Sequence, residues 1–251
     1  MRVTRWDANV LSRAAMVAML ALALAWLVTA ATDEGGVAWG ERAGRTLPLT
    51  PLCAAIGAWG ALAAVRARGE ALALEALGRS PEQIAMAAVV GGALVALVAA
   101  AAIGGVPSVD VTGFYPTATH RSAWQWHGGD FVDLIQGLRV GADGAPVRLA
   151  GEAEWTKVTA IPLHGRAAAA LETALAGVAL PMVVGSALLA SREPAPRARE
   201  RLVTTIASAV TVACSVGLFQ AAAARRLPAV LAAVPPAVLL AFGVWRYRRN
   251  R

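Results

Sequence analysis

Six uninterrupted apolar runs constrain this chain more than any other feature: Ala14 to Ala31, Leu47 to Val65, Ile84 to Val106, Ala167 to Ala190, Leu202 to Ala224 and Leu227 to Val244. Each holds 18 to 24 residues, and a helix needs about 20 to cross the hydrocarbon of a bilayer. The only charged side chain inside them is Glu172. Lipid offers no hydrogen-bond partners, so a spanning segment must satisfy its own backbone, as a helix does. The expected fold class is mainly α, a polytopic membrane protein with six transmembrane helices.

Composition agrees. The 251 residues are 57% hydrophobic and 16% charged, against about a quarter charged in soluble domains. That balance excludes a disordered chain and an ordinary soluble domain. A net charge of +7 would point to nucleic acid in a soluble protein. Here no nucleic-acid partner is expected, because basic residues beside membrane spans set orientation and meet anionic headgroups. Cys53 and Cys214 both fall inside apolar runs, so no disulfide framework is read from them.

The arginines orient the spans. With both termini cytoplasmic, the short inside segments hold 14 of the 23 basic residues: Arg2, Arg5 and Arg13, then Arg66, Arg68 and Arg79, then Arg192, Arg197, Arg199 and Arg201, then Arg246, Arg248, Arg249 and Arg251. Four of the remaining nine lie in the long outside loop, and long loops weigh little in the positive-inside rule. The first run exceeds the apolar core of a cleaved leader, about 7–15 residues, so it reads as a span. Its cleavage stays open and would leave the other five spans oriented as before.

The outside loop, Pro107 to Gly165, is the one sizeable polar segment and reads as a small β-rich insert. Asp143-Gly144 between Leu138-Arg139-Val140 and Val147-Arg148-Leu149 has the form of a type I′ hairpin. Glu154 to Ile161 offers a further strand. Trp124, Trp126 and Trp155, with Trp245 and Tyr247, fit an aromatic belt at the membrane surface.

The most informative stretch is Arg66 to Ala85, between the second and third spans. A short helix over Gly69 to Leu77 is stopped by Gly78. Ser80-Pro81-Glu82-Gln83 then starts the next helix, with Ser80 at the N-cap, Pro81 first and Gln83 third. On residues alone this is a loop helix at the membrane interface.

That segment resembles the LptF/LptG permeases of lipopolysaccharide export (the YjgP/YjgQ family). In the family a glutamate, seven mostly helical residues, a glycine, one residue and a serine or threonine follow the second span. Glu70, Gly78 and Ser80 stand at that spacing. The resemblance covers about 190 residues and extends to six spans with a periplasmic insert after the third. It also takes in Arg166 before the fourth span, Pro181 near that span's cytoplasmic end, and the arginine-rich loop Ser191 to Arg201. It implies an ABC-transporter permease of a bacterial inner membrane, whose short cytoplasmic helix docks into a separate ATPase. Glu70, Glu75, Gly78 and Ser80 would make up that coupling site, with Glu70 as the acidic contact. The chain departs from the family in its short insert, where the family has a much longer jellyroll, and in lacking a lysine in the first span. The cargo and the docking of a periplasmic bridge protein therefore stay open.

Glu172 lies six residues past Arg166, so it lines a cavity or sits at the interface near a helix start. Arg42, Arg45 and Arg166 are candidates for the basic mouth of a substrate path. Pro181 and Pro235-Pro236 are candidate kinks or gate elements. Gly91-Gly92 and Gly104-Gly105 suit close helix packing. His120, His127 and His164, near Asp130 and Asp133, show no metal-ligand spacing, and neither a phosphate-binding loop nor a nucleophile elbow occurs. The chain is thus expected to be no enzyme, with no catalytic residues, metal or cofactor of its own. ATP and Mg would bind the partner ATPase.

The chain divides into residues 1–106 with the coupling helix at 69–77, the insert at 107–165, and residues 166–251. The expected function is export of a lipid or lipopolysaccharide-like amphiphile, beside a cytoplasmic ABC ATPase dimer, a second permease copy or paralogue, and membrane lipids. Two rival readings are a non-transporting inner-membrane scaffold holding the β insert and a membrane-embedded lipid enzyme. A scaffold has no need of the Glu70, Gly78, Ser80 spacing.

Overall fold

A computed structural model describes residues 4–33, 36–111, 124–127, 130–133, 138–141, 144, 146–148, 163–189, 194–223 and 227–249. The chain is mainly helical. In order it forms α1 (Arg5–Thr32), α2 (Trp39–Thr46), a 3₁₀ turn (Leu47–Leu49), α3 (Thr50–Ala67), α4 (Glu70–Ala76) and α5 (Pro81–Gly105). Four short strands follow, then α6 (Leu163–Leu189), α7 (Pro194–Ala223), a second 3₁₀ turn (Ala229–Ala233) and α8 (Val234–Arg249). Six of these helical stretches are long and apolar enough to cross a membrane, one for each apolar run. The first and third begin ahead of their runs, each at a polar cap. Thr4 and Asp7 form a capping box at the start of α1, and the second stretch begins with α2 rather than at Leu47.

Small residues set the packing. In the most apolar window of each stretch, 61% of α5 is buried but only 11% of α1 and 17% of α7. The centre is therefore α3, α5 and α6, with α1, α7 and α8 outside. A Cβ on Gly57 of α3 would run into Ala14 O of α1 and lie 2.9 Å from Ala18 Cβ. One on Gly92 of α5 would meet the Ala54 carbonyl. These helices approach backbone to backbone, as small residues allow in lipid. Gly105, expected to serve the same end, has nothing within 4 Å.

Two buried clusters mark the ends of the bundle. At the end carrying α4, Val10, Leu62, Val65, Ala71, Ile84, Ala85 and Tyr247 pack together. At the other, Ala43, Ile103, Val109, Val111, Ala169, Phe219 and Ala232 do so. Tyr247 is 6% exposed, so it belongs to the core and not to the expected surface belt. Trp245 is exposed. The Pro235-Pro236 pair sits in the first turn of α8, where missing N–H groups cost nothing, so it begins a helix instead of kinking one.

The strands are β1 (Trp124–His127), β2 (Asp130–Asp133), β3 (Leu138–Val140) and β4 (Pro146–Arg148), paired antiparallel in sequence order. Phe131 faces Val140, and Val140 faces Pro146. The last hairpin lies where Asp143-Gly144 placed it, but its turn is not the two-residue form. Gly144 N–H donates to Gly141 O at 3.0 Å, and Gly144 is left-handed at φ +72°, which makes a longer loop. The strand expected over Glu154 to Ile161, with Trp155, lies outside the described residues.

Candidate functional site

The segment from Arg66 to Ala85, expected to contact an ATPase, folds from local signals. Ser80 Oγ accepts from Gln83 N–H at 3.3 Å, and Gln83 Oε1 accepts from Ser80 N–H at 3.2 Å. With Pro81 in the first turn, this box starts α5. Gly69 and Gly78 flank α4 with φ of +72° and +83°, a conformation other residues adopt only with strain. Gly69, expected inside the helix, is therefore its N-cap.

Only one side of α4 is packed. Ala71 is buried, and Leu74 leans on the same cluster. Leu72 is 56% exposed and Leu77 81% exposed, with Ala73 and Ala76 exposed between them. The result is an apolar knob on a seven-residue helix. Glu70 points elsewhere. Its Oε2 accepts from Trp6 Nε1 at 2.9 Å, and its Oε1 lies 3.3 Å from Arg68 Nη1. Both oxygens of the expected acidic contact thus have partners within the chain. Glu75 is half-buried and partnered as well.

Arg79, just past α4, donates to both oxygens of Asp7 at 2.8 and 2.9 Å and lies 5.5 Å over the Trp6 ring. The Asp7 carboxylate raises the Arg79 pKa above its ordinary value. Sequence reasoning missed Trp6, Asp7 and Arg79 as a group. Nothing short-range pairs residues more than sixty positions apart. The one local hint is Asp7 as the third residue of a capping box with Thr4.

The residues expected along a substrate path are brought together only in part, and their charges are engaged. Arg42 and Arg45 both bind Asp33, at 2.9 and 3.0 Å, and Arg45 also meets Glu41. Arg42 covers the Trp26 ring at 5.8 Å. The two arginines thus pin α2 to the end of α1. Arg166 donates to Ile103 O at 2.9 Å, a carbonyl of the last turn of α5 that has no partner within the helix, and to Val106 O just past it. Glu172 is half-buried with a partner of its own. It is the tenth residue of α6, about 14 Å along the axis from the start of the helix. That is well beyond the first turn, where the dipole acts. Pro181 lies inside α6 and is fully buried.

Among the described residues no three His, Cys, Asp or Glu side chains converge as a metal site; His120 lies outside them. Cys53 is buried and Cys214 exposed, both as free thiols. No protein-family model matches the chain, and no curated protein matches it.

Proposed function

We propose that this chain is the membrane-spanning permease subunit of an ABC-type transporter, resembling LptF and LptG, which moves a lipid or lipopolysaccharide-like amphiphile. It sits in a bacterial inner membrane with both termini and α4 cytoplasmic and the β-rich 107–165 domain periplasmic. A separate ATPase dimer binds ATP and Mg, and a second permease copy or paralogue completes the cavity.

The observation that carries this reading is the apolar knob of Leu72, Ala73, Ala76 and Leu77, at the arginine-rich end of a six-span bundle. An exposed leucine gains about 1.5–3 kcal/mol when fully buried, so a partner covering both would bind through them. The knob takes over the contact that the resemblance assigned to Glu70. Closure of the ATPase would push α4 and, through the Ser80 cap, α5. A scaffold needs no such face.

The test is affinity purification of the tagged chain in detergent. Nucleotide hydrolysis should co-purify with it and fall to background with Leu72→Asp plus Leu77→Asp. A chain that brings down no hydrolytic partner favours the scaffold.

A further inference from the structure

A seven-residue helix is too short to hold itself in water, and α4 has a left-handed glycine on each side, which loosens both connections. Its buried face contributes little beyond Ala71 and Leu74. Yet the first turn of α1 grips the segment at two points. Trp6 Nε1 holds Glu70 at its start, and Asp7 holds Arg79 three residues past its end, at 2.8–2.9 Å. The two grips meet, because the Arg79 guanidinium also lies over the Trp6 ring. They come from a helix start that is itself fixed: Thr4 N–H donates to Asp7 Oδ2 at 2.9 Å and Thr4 Oγ1 accepts from Asp7 N–H.

We infer that Trp6, Asp7 and Arg79 are positioning residues, a two-point strap that holds α4 with its apolar knob turned outward before any partner arrives. The inference rests on the docking role proposed for that knob and adds how the knob is kept ready. Turning Glu70 inward to Trp6 rotates Ala71 and Leu74 to the bundle and leaves Leu72, Ala73, Ala76 and Leu77 outside. Pre-set geometry lowers the ordering cost of association. The bidentate Arg–carboxylate pair supplies directional hold that a single charge contact lacks. The strap also ties α4 to α1, so a push on α4 reaches α1 as well as α5.

The experiment uses the full chain with Trp6→Phe, which keeps the ring but loses the donor, and Asp7→Asn, which keeps a capping acceptor but loses the charge. Amide hydrogen exchange over residues 71–77 is measured in detergent without a partner, alongside the hydrolytic activity that co-purifies. In the double variant, exchange over 71–77 should speed up about tenfold and recovered hydrolysis should drop several-fold, at an unchanged unfolding midpoint. Asp7→Glu with Trp6 intact, which keeps the charge, should leave both near the values of the parent chain. Unchanged exchange in Trp6→Phe and in the double variant overturns the strap, as does a loss of recovery that merely follows a lowered midpoint. The docking role fails separately: Leu72→Asp plus Leu77→Asp would then leave recovered hydrolysis intact, whatever the exchange shows.

Discussion

Asp7 serves two masters at once, closing the cap of α1 and pairing with Arg79. Glu82 and Tyr247 are the opposite case. Both are at most 9% exposed, and Glu82 Oε2 and the Tyr247 hydroxyl have no hydrogen-bond partner among the described residues. A buried hydroxyl left unpaired costs about 1–3 kcal/mol. Tyr247→Phe removes that cost while keeping the ring beside Ile84 and Ala85. Its thermal unfolding midpoint in detergent should match or exceed that of the parent chain; a clearly lower midpoint would show that the hydroxyl has a partner. From the sequence Tyr247 looked like a surface anchor, two residues after the exposed Trp245. In fact successive positions on a helix face different ways, and only packing against α5 and α6 decides which ring is inside.

Among the elements, α5 shows how far local chemistry reaches. Ser80, Pro81 and Gln83 state its start, and the structure puts the cap there. Ser80→Ala should cost about 1 kcal/mol of local stability, read as faster amide exchange at Gln83; no change there would mean the cap is idle. Gly78 was equally legible, since a positive φ after a short helix calls for glycine. The other end of α5 was not. Its carbonyls are met by Arg166, sixty residues on, and an arginine before a span reads just as well as a headgroup contact. The same holds for Arg42 and Arg45, whose partner Asp33 is revealed only once α2 folds back on the end of α1.

For the molecule as a whole, the outward faces of α1 and α7 are apolar, with Leu20, Leu24, Ile206 and Val210 all more than half exposed. Surfaces of that kind belong in lipid. Cys214 lies on α7 and is exposed on the bare protein, but it should be shielded in a membrane. A charged maleimide applied to opened membranes stripped of peripheral partners should label a Leu77→Cys variant and leave Cys214 unlabelled until the membrane is dissolved. Ready labelling of Cys214 would mean that α7 faces water and that the six-span arrangement is wrong.

What the amino-acid order determined unaided was everything written in neighbouring residues: six helices long and apolar enough to span a membrane, the short helix between two of them, and the Gly78 stop and Ser80 cap that follow it. Transfer of an apolar run from water and the closing of a capping box each depend on at most a few turns of chain. The tertiary structure alone decided which charges are already answered. Glu70 turns to Trp6, Asp7 to Arg79, Arg166 to the end of α5, and Leu72 and Leu77 are left outside. Those pairings depend on how helices rotate and cross when glycine and alanine let their backbones touch, and no short stretch of sequence carries that angle.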